Sequence, residues 1–88
     1  MTITTAAIRL TTGEVLTLPR PARHPSVMLE AQGKGLSLWG STQGFIAEPG
    51  GRFVNRSEAY RIADAAGQII RTEWSTPTPG TLYTEDLW

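Results

Sequence analysis

The 88-residue sequence contains no cysteine, which removes several kinds of chemistry at once. Without a thiol there is no disulfide, no thiolate metal site and no cysteine nucleophile. Small secreted domains usually depend on disulfides for stability, so this absence favours a cytoplasmic protein. Only one histidine is present, and no acidic cluster surrounds it, so we expect neither a metal nor a cofactor.

Long hydrophobic runs and an excess of charge of one sign are also missing. No apolar stretch is long enough to cross a bilayer, and residues 1–6 lack the basic start of a secretion signal, so we expect no membrane association. Eight basic and eight acidic residues cancel, whereas proteins that bind DNA or RNA directly normally carry a basic excess. We therefore expect no direct nucleic-acid partner.

The length and composition predict one domain, residues 1–88. Hydrophobic residues make up 40% of the chain and charged residues 18%, which is typical of a globular protein. A core of this size leaves a small margin of stability, and burial against a second copy would increase it. We therefore expect a homo-oligomer.

Alternating apolar residues predict two β-hairpins. Residues 3–10 and 15–18 alternate on either side of a Thr-Gly turn, and residues 45–47 and 53–54 flank a second turn at 48–51. The second turn contains proline followed by two glycines, which accept the positive φ angles that tight turns need.

A helix is predicted after each hairpin. Pro25 suits the first helical position, and a short apolar stripe follows it before Gly33. The second helix is marked at both ends, by a capping box of Asn55 with Glu58 and by a terminating Gly67. Its buried stripe is mostly alanine: Ala59, Ile62, Ala63 and Ala66. The fold class is therefore α+β, two β-hairpins each followed by a helix, with an antiparallel sheet.

Five polar residues are candidates for binding a ligand: Arg23, His24, Arg52, Arg56 and Gln68. His24 precedes a helix beside Arg23, where it could contact a phosphate or act as an acid-base group, or simply cap the helix. Arg52 and Arg56 could face one surface and hold a phosphate or carboxylate, or form surface ion pairs. Gln68 could bond a base or ribose, or merely cap carbonyl groups.

The aromatic residues Trp39 and Trp88 are candidates for an interface. Either could stack on a ligand, but core packing or a subunit contact is the more common use of tryptophan. No nucleophile elbow, P-loop lysine or dinucleotide fingerprint is present, so we predict no catalytic residues.

Several separated blocks resemble a family of small bacteriophage and prophage proteins. The blocks are residues 44–46, 51–59, 62–68 and 82–88, and the family pattern reads GF-x-T, GRFV-x-R-x-EA, IA, AGQ and LYSEDLW. Two residues depart from that pattern. Pro25 stands where the family has a second histidine, which puts a two-histidine mechanism in doubt, and Thr84 replaces a serine.

The resemblance implies phage origin and, for a non-virion protein of this size, a role in countering host defence. The favoured hypothesis is a non-catalytic protein that sequesters a phosphorylated, nucleotide-like ligand. One alternative is an inhibitor that binds a host defence protein, as anti-CRISPR proteins do. The other is a small enzyme that acts on nucleotide signals through His24 and Glu85.

Overall fold

A computed structural model describes residues 1–70, 81–84 and 87–88 of the chain. The hairpin–helix–hairpin–helix order and the α+β class are confirmed. The elements are β1 (Thr2–Arg9), β2 (Val15–Thr17), α1 (His24–Gly33), β3 (Thr42–Glu48), β4 (Arg52–Asn55) and α2 (Arg56–Ala65).

The two hairpins join into a single antiparallel sheet of order β2-β1-β3-β4. The join is made by β1 and β3, which pair along most of their length with one register shift between Ile3 and Thr5. Ala6 lies opposite Phe45, which in turn lies opposite Val54, so one row of buried side chains crosses three strands.

Both helices cover the same face of this sheet. Ala6 and Ile8 are two residues apart on β1, so their side chains point to the same side. Ala6 belongs to the main core with residues of α2, whereas Ile8 packs in a second core with Val27 of α1. The core side chains therefore form one layer between the sheet and the helices. Helix α2 covers one part of this layer and α1 covers the other.

The small residues of α2 allow it to lie close to the sheet. Ala59 and Ala63 are fully buried in the cluster that contains Phe45 and Val54. Because alanine ends at Cβ, the helix axis can approach the strands more closely than a leucine stripe would permit. Ala66 was predicted to continue the stripe, and this is wrong: it is exposed because α2 ends one residue earlier.

The structure shows the Asn55 half of the predicted capping box at the start of α2, and the predicted glycine after its end. The Oδ1 atom of Asn55 accepts a hydrogen bond from the backbone N–H of Glu58 at 2.8 Å. Gly67 has a φ of 68°, the left-handed conformation that glycine adopts at little cost where a helix ends.

Helix α1 begins one residue earlier than predicted. His24, not Pro25, is its first residue, and Arg23 occupies the capping position without a capping side-chain bond. Of the predicted stripe of Val27, Met28 and Ala31, Val27 and Ala31 are buried and Met28 is half-buried.

Residues 81–84 and 87–88, here called the anchor segment, complete the main core. Leu82 and Leu87 are buried in the same cluster as Phe45. The N–H of Leu82 donates to the carbonyl oxygen of Arg56 at 3.2 Å, which ties the segment to the start of α2. Within the described residues, neither helix is long and apolar enough to cross a membrane.

Candidate functional site

A cleft of about 180 Å³ lies where both helices begin, beside β3 and the anchor segment. Helix α1 contributes its first turn, and α2 contributes its first residue. Because the N-terminal end of a helix carries positive partial charge, this placement favours an anion in the cleft. The lining residues are His24, Pro25, Met28, Gln43, Arg56, Tyr83 and Thr84.

His24 forms part of the inner wall and is only 5% exposed. Its Nε2 atom lies 2.7 Å from the carbonyl oxygen of Gly44. A carbonyl can only accept a hydrogen bond, so Nε2 carries the proton and donates. The ring also meets Phe45 edge to face, with centroids 5.1 Å apart, so His24 has a fixed orientation.

Arg56 supplies the positive charge of the cleft. One terminal nitrogen donates to the Oε1 atom of Gln43, and the guanidinium carbon lies 5.0 Å from the ring centroid of Tyr83. The Nε atom is buried and has no hydrogen-bond partner among the described residues. Among the described residues, no carboxylate forms a salt bridge with Arg56, and the groups that contact its guanidinium there are neutral.

Gln43 is held in place by two neighbours. Its Oε1 atom accepts from Arg56, and its Nε2 atom lies 3.7 Å from the sulfur of Met28. These contacts fix the amide so that its oxygen faces the guanidinium. The cleft is therefore a preformed arrangement in which β3 orients the cation supplied by α2.

Arg52 lies away from this cleft, although it had been expected to act together with Arg56. It occupies the other end of β4, opposite Ala47 and next to the hairpin turn, and it is exposed. Three residue steps along the strand separate Arg52 from Asn55, the cap of α2, a distance of about 10 Å. Arg52 therefore does not line the cleft.

The side chain of Gln68 is hydrogen-bonded to the backbone of β1. Its Oε1 atom accepts from the N–H of Ile3 at 2.7 Å, and its Nε2 atom donates to the carbonyl oxygen of Ile3 at 2.9 Å. Strand β2 pairs only with residues 7–9 of β1 and does not reach Ile3. The Gln68 amide takes the place of a neighbouring strand at that point, so we leave it out of the binding proposal below.

Arg23 and Trp88 contact each other. The guanidinium of Arg23 donates to the main-chain oxygen of Trp88, with a distance of 3.1 Å from Nε. The indole N–H of Trp88 donates to the carbonyl oxygen of Ala22 at 3.2 Å, and the guanidinium carbon of Arg20 lies 4.4 Å from the indole ring centroid. Trp88 is thus held within its own chain.

Trp39 differs sharply from Trp88. It follows α1 in a segment without regular structure, and 85% of its surface is exposed. Packing against the described residues therefore does not account for a large aromatic side chain at this position.

Three polar residues of the lining were not among the predicted site residues: Gln43, Tyr83 and Thr84. Gln43 immediately precedes one of the blocks that carry the phage resemblance, and Tyr83 and Thr84 lie within another. Their clustering depends on pairing between elements far apart in the chain, which no local pattern reports. Among the described residues, no group of three His, Cys, Asp or Glu side chains converges.

Comparison with known protein families gives one result. Residues 2–88 match the family of the phage T4 y16D protein. The chain belongs to that family. The predicted relation to small phage proteins is confirmed by this family match, whereas the particular pattern of sequence blocks stays a prediction. Neither the curated proteins nor the solved structures contain a match.

Proposed function

We propose that this member of the phage T4 y16D family binds a small phosphorylated, nucleotide-like molecule without transforming it. The observation that carries the proposal is Arg56, a cation in a preformed cleft with no carboxylate partner among the described residues. A guanidinium matches the oxygens of a phosphate in geometry as well as charge. The beginnings of both helices add positive potential at the same place.

The size of the cleft limits what it can hold. About 180 Å³ is less than the roughly 300–1,000 Å³ of a typical small-molecule site. We therefore propose that one phosphoryl group enters the cleft while the rest of the ligand lies on the surface. In this arrangement His24 acts as a rigid wall, because its Nε2 atom is already bonded to Gly44.

We also propose a role in countering host defence, in the host cytoplasm, with which membership of a phage protein family is compatible. A phage protein that sequesters a phosphorylated signal needs only tight binding, and a neutral overall charge is compatible with one local positive site. A homo-oligomer also remains our expectation, to be measured by light scattering after size exclusion.

Calorimetric titration tests the binding proposal with pyrophosphate, AMP, ADP, ADP-ribose and a cyclic dinucleotide, with citrate as a carboxylate probe. Loss of a charged hydrogen bond costs about 1.5–3 kcal/mol, or roughly 10- to 150-fold in affinity. We expect that loss in Arg56→Gln. Arg52→Gln removes the same charge from an exposed site outside the cleft, so it should bind within twofold of the unaltered protein.

Two results would refute the binding proposal. One is the absence of heat with every phosphorylated probe at protein concentrations of tens of micromolar. The other is an equal loss of affinity in Arg56→Gln and Arg52→Gln, which would indicate general charge attraction. If only citrate binds, the cleft is still a binding site, but its ligands are carboxylates and not phosphorylated molecules.

A protein-binding role is the second candidate, and the exposure of Trp39 favours it. Large aromatic residues dominate the energy of protein interfaces, so such a partner would be lost in Trp39→Ala and retained in Arg56→Gln. The enzyme alternative requires His24 with Glu85. Glu85 lies outside the described residues, so that alternative stays a prediction.

A further inference from the structure

The cleft has two walls of different origin. One wall comes from α1, β3 and α2, which the sheet holds together. The other consists of Tyr83 and Thr84, which belong to the anchor segment. The cleft therefore exists only while the anchor segment is docked.

Docking of the anchor segment depends partly on contacts at Trp88. Its backbone N–H donates to the carbonyl oxygen of Thr84 at 3.0 Å, so Trp88 is bonded directly to the cleft wall. Its indole and main-chain oxygen are held by residues 20–23 through the three contacts described above. Position 23 is also the capping position of α1, directly before His24.

The same short stretch of chain is thus connected to both walls. Residues 20–23 hold Trp88, and through it Tyr83 and Thr84, while they also lead into His24. We propose that Arg20 and Arg23 are positioning residues for the ligand: by clamping Trp88 they set the wall that faces Arg56. This inference rests on the proposed binding function, but its structural part is testable without a ligand.

A consequence is that ligand binding and clamping of Trp88 stabilise each other. Any ligand that contacts both walls favours the docked segment, and the docked segment binds that ligand more tightly by the same factor. Arg20 and Arg23 are both exposed, so removing them should loosen the clamp while leaving the buried Leu82 and Leu87 in place.

The test compares Arg20→Ala/Arg23→Ala with the control Arg9→Ala. Arg9 is also exposed and also lies over an aromatic ring, with its guanidinium carbon 4.8 Å from the centroid of Phe53, but it lies outside the cleft. Hydrogen exchange, followed by NMR without a probe, reports on the amides of Leu87 and Trp88. We expect at least tenfold faster exchange of these amides in the double variant, and no change in Arg9→Ala.

Titration with ADP supplies the second measurement. We expect the double variant to bind ADP five- to tenfold more weakly, although neither arginine lines the cleft, and Arg9→Ala to bind normally. In a Trp39→Phe/Trp74→Phe background, where Trp88 is the only tryptophan, saturating ADP should reduce acrylamide quenching of its fluorescence.

The outcomes separate the two proposals. If ADP binds equally to the double variant and to Arg9→Ala, the positioning role is overturned and the binding function stands. If no phosphorylated probe binds, the binding function fails, and exchange at Leu87 and Trp88 alone decides whether the two arginines clamp the segment. Unchanged exchange in the double variant overturns the clamp in either case.

Discussion

Replacing Gln68 with alanine should destabilise the whole domain. The Gln68 amide makes two hydrogen bonds with the backbone of Ile3, at 2.7 and 2.9 Å, and Ile3 itself is 1% exposed. Each bond contributes about 0.5–1.5 kcal/mol, and a buried group left without a partner costs about 1–3 kcal/mol. Gln68 is half-buried, so water can partly replace its amide. We therefore expect a loss of roughly 2–3 kcal/mol in the free energy of unfolding.

That loss is a large part of the total stability of a small domain, which is typically about 5–15 kcal/mol. In a chain of this length, each kcal/mol corresponds to a shift of about 4–8 °C in Tm, so we expect a decrease of roughly 10–20 °C. Urea unfolding followed by circular dichroism gives the free energy directly, and its slope should not change if the folded state keeps its compactness.

Two further variants sharpen the Gln68 experiment. Gln68→Glu keeps an acceptor for the N–H of Ile3 but places a carboxylate against its carbonyl oxygen, so it should also be destabilised. Gln32→Ala is the matched control, because Gln32 is exposed in α1 and alanine favours helix. If Gln68→Ala falls within 0.5 kcal/mol of Gln32→Ala, a range expected for surface substitutions, the Gln68 bonds do not stabilise the fold and our reasoning is wrong.

Two other predictions concern the backbone. In Gly44→Ala the added methyl would lie 2.3 Å from the carbonyl oxygen of Val54, so strand β4 must move and we expect a loss of about 1–3 kcal/mol in urea unfolding. Gly33→Ala, at an open helical position, should instead stabilise the protein by about 0.5–1 kcal/mol. If both substitutions had a similar effect on stability, the expected clash between a methyl group at position 44 and Val54 would be contradicted. Asn55→Ala removes the cap of α2 and should lower Tm by the equivalent of about 1 kcal/mol, whereas Asn55→Asp should retain most of the stability.

The local elements were predictable because each depends on neighbours in the chain. The cap at Asn55, the turn glycines and the alternating strands act over a few residues, and all are present in the structure. The predicted stripe failed only at Ala66, where the periodicity runs past the end of the helix. Periodicity indicates which face is buried but does not fix where the hydrogen bonding stops.

The candidate site was predicted only in part. His24 and Arg56 both line the cleft, but the roles of Gln68 and Arg23 depend on partners 65 residues away in the sequence. A polar residue near a helix end has the same local signature whether it binds a ligand or bonds a distant strand. Only the tertiary contact distinguishes the two, and here it connects Gln68 to Ile3 and Arg23 to Trp88.

The absence of cysteine, the balanced charge and the hairpin–helix–hairpin–helix order were properties of the sequence alone, because composition and short-range pattern determine them. The tertiary structure decided that β1 pairs with β3, which places both helices on one face and brings their first residues to one cleft. It also brought the anchor segment against Arg56. Long-range pairing sets these positions, since it depends on the simultaneous burial of residues that no short window of sequence contains.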